Sequence, residues 1–136
     1  MLKRFSISLE EDLLEDFDEF IKQRRYENRS EAIRDLIRSS FIKDEWQADK
    51  DVMGVITVVY DHHQPNLQEK VTELQHDYHQ QIVSTTHVHM DHHNCLEVII
   101  VRGKAAEVKE LANRLSSLRG VRDGKLAMSS TGKHLH

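Results

Sequence analysis

The sequence predicts an α+β protein in which a strand–helix–helix arm precedes a ferredoxin-like βαββαβ domain. Three patterns carry this expectation. Lys3, Phe5, Ile7 and Leu9 alternate with Arg4, Ser6 and Ser8, the period of a strand. Two one-sided helical stripes follow before residue 50. From Met53 onward, segments rich in branched residues alternate with two amphipathic helices. The expected organisation is an arm over 1–46, a short linker over 47–52 and a second domain over 53–136.

The arm begins with an isolated strand, which is not stable alone and must pair. Ser8 and Glu11 have the spacing of a capping box for a first helix carrying Leu13, Leu14, Phe17, Phe20 and Ile21 on one side. Asn28 and Glu31 repeat that spacing before a second helix with Ala32, Ile33, Leu36, Ile37 and Phe41, which frays around residues 44–51. No second strand lies nearby. The economical solution is a two-fold dimer whose Lys3–Leu9 strands pair antiparallel between subunits. The outward face then presents Arg4, Ser6 and Ser8 twice on a ribbon that fits the DNA major groove. The same pattern also fits a plain dimerisation module.

In the second domain, a strand over Met53–Tyr60 precedes a helix marked by Leu67, Val71, Leu74 and Tyr78. Strands over Ile82–Met90 and Leu96–Arg102 flank a polar turn, Asp91–Asn94. A helix over Ala105–Leu115 leads to a last strand, Leu118–Met128, interrupted between Gly120 and Gly124. Two helices on one sheet face leave the other open, so oligomerisation through it is expected.

Composition points to chemistry in that domain. The chain holds 10 histidines, eight of them between His62 and His93, beside its one cysteine, Cys95. His87 and His89 share a strand face about 7 Å apart along the backbone, and Cys95 opens the next strand. His76, on the preceding helix, is the leading further ligand. Imidazoles with a thiolate suit nickel, copper or zinc, and sequence does not choose between planar and tetrahedral coordination. His62, His79, His92 and His93 are either additional ligands or wet surface residues. Glu97 is either an acceptor orienting an imidazole or an ordinary carboxylate. Glu31 and Asp35, one helical turn apart, are either a site for a hard cation or a capping and a solvated carboxylate. The single cysteine excludes an intrachain disulfide and fits a reducing, cytoplasmic setting. No signal peptide is visible, and no apolar run reaches the about 18 residues of a membrane span. The net charge of −4 argues only weakly against nucleic acid, because basic groups act locally.

Two resemblances follow. Lys3 to Phe41, with its Asn28-Arg29-Ser30-Glu31-Ala32-Ile33-Arg34 run, resembles the ribbon-helix-helix DNA-binding proteins. That implies base reading by Arg4, Ser6 and Ser8, and a phosphate near Asn28, Arg29 and Ser30. Free amides at a helix N-terminus attract phosphate independently of any resemblance. Met53 to the C-terminus resembles the regulatory domain of nickel-responsive repressors, an ACT-like domain, on His76, His87-Val88-His89 and Cys95. The likeness implies one Ni(II) per subunit, held by His87, His89 and Cys95 of one chain and His76 of its neighbour. It further implies a homotetramer, a dimer of dimers, that binds double-stranded operator DNA with nickel as corepressor of nickel uptake. An additional cation between the modules, near Glu31 and Asp35, is implied for some members. The chain departs from the family in two places: serines replace threonines at Ser6 and Ser8, and Arg25 stands where the helix–helix turn commonly has glycine.

Competing readings are an enzyme, a nickel store, and a regulator sensing copper, zinc, cobalt or an amino acid through the same domain. Four converging ligands leave little room for the open position that catalytic zinc needs. A store leaves the arm unexplained.

Overall fold

Residues 1–136 are all described by the computed structural model, whose contacts divide between Ser39 and Ser40 into two units. In the first, α1 (Glu11–Arg24) and the start of α2 (Arg29–Gln47) are the regular elements. Residues 1–10 form neither strand nor helix in the single chain. A ladder needs a second strand, and this unit contains none. The predicted Ser8–Glu11 capping box does not form either. Helix α1 begins at Glu11 behind Glu10, with no side-chain cap. Glu11 and Asp12 at its start, and Lys22 and Arg24 at its end, complement the helix dipole instead.

The turn between the helices is a Schellman closure. Arg25 N–H donates to Lys22 O at 3.2 Å and Tyr26 N–H to Ile21 O at 3.1 Å, with Arg25 left-handed at φ 61°. The Tyr26 ring lies 6.0 Å from that of Phe20, the apolar contact that accompanies this motif. Thus the turn that commonly carries glycine keeps its left-handed backbone here despite the side chain. Asn28 Oδ1 then accepts the Glu31 N–H at 2.9 Å, which makes it the predicted cap of α2. Arg29 forks onto Asp18 of α1 at 2.8 and 2.9 Å, and the Tyr26 hydroxyl donates to Asp35.

Ala32 is the only buried residue of this unit, while Phe5 is 70% and Leu13 50% exposed. Leu36 and Ile37 also remain largely open. Such a pair of helices has apolar surface but no core of its own.

The second unit is built on a four-stranded sheet in the order β2-β3-β1-β4, every neighbouring pair antiparallel. Its strands are β1 (Asp51–Asp61), β2 (Ile82–His89), β3 (Asn94–Lys104) and β4 (Val121–Met128). Along β1 the even-numbered residues from Val52 to Tyr60 are buried and the odd ones half-buried or exposed. Helix α3 (Leu67–Asp77) buries Leu67, Val71 and Leu74. Helix α4 (Ala105–Ser116) buries Ala105, Val108, Leu111, Ala112 and Leu115. Both stripes join the core formed by Ile56, Val58, Ile99 and Val101. Asp49 Oδ1 takes the Ala106 N–H at 2.7 Å, supplying the start of α4 with an acceptor from outside the helix. Trp46, at the end of α2, is also buried here, its indole N–H donating to Ser129 O at 2.8 Å.

The other sheet face leaves Val55, Val59, Leu96, Val98 and Ile100 half-buried. Strand β2 is an edge with seven of its eight residues exposed, and α4 packs on the other three strands.

Gly124 does not interrupt the last strand, which starts at Val121 and runs through it. A Cβ there would meet Ser116 Oγ at 2.2 Å and Ser116 Cα at 3.0 Å. The position is small because α4 lies directly on it. Gly124→Ala is therefore expected to cost about 1–3 kcal/mol by overpacking, read as a lower urea midpoint at fixed protein concentration. Arg25→Gly should act the other way, adding about 1 kcal/mol by relieving the left-handed backbone; an unchanged midpoint would show that the Arg25 side chain makes up the difference.

Candidate metal centre

Strand register decides which side chains meet. His89 pairs with Cys95, which pairs on its other side with Tyr60; one step along, His87 pairs with Glu97. Because side chains alternate, this group projects to the helix-bearing face. Cys95 is fully buried under it. The chain leaves β1 at Asp61, and His62 then donates its backbone N–H to His93 O at 3.1 Å. That contact sets the His62 ring over the thiol, with Nδ1 3.2 Å from Sγ; His89 Nδ1 lies 3.5 Å from the same sulfur. The His62 and His89 rings are nearly perpendicular, 5.3 Å apart.

One ligand atom each from His62, His89 and Cys95 lies within 4.8 Å of the others, so a single ion can reach all three. Two imidazoles with a thiolate fit a borderline divalent metal such as Ni(II). Burial, then the nearby charge of Glu97, pushes the Cys95 thiol up. Desolvation and the neighbouring His63 and His89 hold His62 down, favouring the neutral ligating form. Metal ligation therefore displaces a proton from sulfur and weakens in acid.

His87 belongs to the same row but is held differently. Its ring lies 4.9 Å from that of His89, while Nδ1 sits 3.1 Å from Glu97 Oε1. Glu97 also accepts from Tyr60 Oη at 2.7 Å and from Gln75 Nε2 at 2.6 Å. Thr85 donates to Gln75 Oε1 at 2.9 Å, so α3 is tied through Gln75 to both β2 and β3. Burial, with Glu97 as second cause, raises the Tyr60 hydroxyl well above its ordinary value and keeps it a donor. A carboxylate on Nδ1 leaves Nε2 as the open ring nitrogen of His87.

His76 is not brought to this group within one chain. It is exposed near the end of α3, its ring 6.0 Å from His79, along a groove that also includes His62 and His63. A second group gathers outside the first: Asp61, His63 and His93 also place ligand atoms within 4.8 Å of one another. Sequence spacing singled out His92 and His93 but not Asp61 or His63. The signal was the Asp61↔Asn94 register, which sets the two Asp-His-His runs side by side. Glu31 and Asp35 join no metal-holding group; the Glu31 N–H is capped by Asn28 and Asp35 accepts from Tyr26. Arg4, Ser6, Ser8 and Ser30 are exposed, whereas Arg29 is engaged by Asp18.

Comparison with known proteins follows the same division. Residues 53–129 match the family described as NikR C terminal nickel binding domain, and residues 3–40 the ribbon-helix-helix proteins of the copG family. A protein of Desulfotalea psychrophila named as a nickel-responsive regulator is 68% identical over 136 residues, the full length of both chains. One of the same name from Thermococcus kodakarensis is 54% identical, covering 97% of this chain and 96% of its own. Among solved structures, an uncharacterized protein of Thermotoga maritima aligns over 57% of this chain and 96% of its own with a TM-score of 0.53. At 16% identity it shows the βαββαβ fold alone.

Replacing Glu97 by Gln removes the charged acceptor behind His87. Metal affinity should fall about 10–100-fold while the sulfur-to-metal absorption band survives, because Cys95 is untouched. Nickel titration at neutral pH reads both.

Proposed function

Because this chain belongs to the family of nickel-responsive regulators, we propose that its nickel is held by His87, His89 and Cys95 of one subunit and His76 of another, one ion per subunit. The chain is a DNA-binding transcriptional regulator and not an enzyme. Its arm belongs to a fold that dimerises to bind DNA. The observation that carries the ligand assignment is the exposure of β2: His87 and His89 sit on a bare edge, with Glu97 fixing His87 from behind. An edge of this kind accommodates a second subunit, and His76 stands exposed on α3, free of the cluster in its own chain. His62, now on the thiol, would give way to that histidine.

Bound nickel would join ligands carried by two subunits. The residues do the rest. Gln75, beside His76 on α3, bonds Glu97, which bonds His87, so ordering of the ligand histidines is tied to the position of the helix. A dimer of dimers follows: the half-buried face of Val55, Val59, Leu96, Val98 and Ile100 offers one interface, and the exposed Phe5, Ile7, Leu13 and Leu36 of the arm another. Two arm dimers then read two halves of a palindromic operator in the cytoplasm and repress nickel uptake. Arg4, Ser6 and Ser8 face the base edges from paired strands. Asn28, Arg29 and Ser30 lie at the α2 N-terminus, where amides attract phosphate. Serine hydroxyls without threonine's methyl shift the operator preference away from contacts on thymine.

The test is an operator titration of metal-free, Ni(II)-, Cu(II)- and Zn(II)-loaded protein at matched salt. Nickel should tighten specific binding at least tenfold, about 1.4 kcal/mol, and operator DNA should tighten nickel binding by the same factor. Equal specific affinity without metal would overturn the corepressor role. Mixing His76→Ala with Cys95→Ala chains checks the ligand set, because only cross-subunit ligation rebuilds intact sites from the two. No recovery of the sulfur-to-nickel band in verified mixed oligomers would rule out the shared site.

A further inference from the structure

We propose that Asp61, His63 and His93 form a second, solvent-facing site for a divalent first-row transition ion, separate from the cysteine centre. The outer group, Asp61, His63 and His93, shares no residue with the His62, His89 and Cys95 cluster, nor with the nickel ligands proposed above.

Register builds the outer group. Asp61 ends β1 directly opposite Asn94, the first residue of β3, and the ladder extends one step further through the His62 N–H to His93 O contact. The two loops leaving that point each carry two histidines, so His63 and His93 emerge facing each other, ring centroids 5.6 Å apart and inclined at 69°. Each loop is also fixed by its own aspartate. Asp61 Oδ1 accepts the His63 N–H at 2.9 Å, and Asp91 Oδ1 accepts those of His93 and Asn94 at 2.9 and 2.8 Å. The donors are thus held before any ion arrives, which lowers the ordering cost of binding.

The donor set decides the ligand class. Two imidazoles and one carboxylate suit Ni(II), Zn(II) or Co(II), and without sulfur the site is harder than the inner one. Three protein donors leave further positions to water, and the exposure of His63 lets the ion exchange freely. Asp61 Oδ1 already lies 3.3 Å from His63 Nδ1, while Arg122 stands 3.9 Å from Oδ2, longer than a hydrogen bond. His92 borders the site, its ring 5.6 Å from that of His63.

Co(II), Ni(II) and Zn(II) titrations of the full chain test this by stoichiometry and by spectrum. Wild type should take up two equivalents per chain. A His63→Gln, His93→Gln variant should take up one, with the sulfur-to-metal band intact. Cys95→Ala should lose that band yet keep one Co(II) equivalent whose visible spectrum shows only nitrogen and oxygen donors, and adding His63→Gln and His93→Gln should remove it. Exposed histidines that hold no metal would give one equivalent in wild type and no change in the double variant, and either result would overturn the outer site. Survival of the sulfur band in Cys95→Ala would overturn only the inner ligand set, so the two readings fail separately. Selective broadening of the His63 and His93 ring signals by the second Ni(II) equivalent gives a check that needs no substitution.

Discussion

A carboxylate taken out of water is costly unless donors surround it. Glu97 is 5% exposed and is met by Tyr60 from β1, His87 from β2 and Gln75 from α3. Each donor comes from a different element, so the cost of burying one charge is offset only when strand register and helix position are both right. The neighbouring row, His89–Cys95–Tyr60, inherits its alignment from the same register. The thiol therefore faces imidazoles because Glu97 faces its donors. Replacing the carboxylate with an apolar residue would take the shared acceptor from Tyr60, Gln75 and His87 together.

The two units meet their apolar requirements differently. The second has a packed interior between sheet and helices, from Val52 through Leu115. The first buries Ala32 alone. Its turn is nonetheless closed by a complete Schellman pattern and its second helix capped by Asn28. Local backbone chemistry thus shapes the arm although the single chain gives it no core.

Much of this was legible in the sequence because it depends on short-range period and capping. The βαββαβ order follows from hydrophobic alternation, and Asn28 was readable as a cap because its partner lies three residues away. Ser8 had the same spacing and failed, since α1 starts at Glu11 itself and leaves Ser8 outside its first turn. The Lys3–Leu9 alternation predicts a strand that the single chain does not form, since a ladder needs a second strand. What spacing could not give was convergence across strands. His62 lies 33 positions from Cys95 and Asp61 32 from His93, and only the β1–β3 register sets them side by side. Gly124 misled for a related reason: it is small to admit α4, not to end a strand.

The Arg29–Asp18 fork has a consequence for how ionic strength acts on this protein. A guanidinium that reaches a phosphate from open solvent helps release a condensed cation from DNA, which steepens the fall of affinity with salt. In the proposed complex, Arg29 would have to leave the Asp18 carboxylate to reach a phosphate. The freed Asp18 would then gather a cation of its own, and the exchange would be close to neutral in ions released. Counting basic residues at the α2 N-terminus would therefore overstate the salt sensitivity of the complex by roughly one ion for each arm.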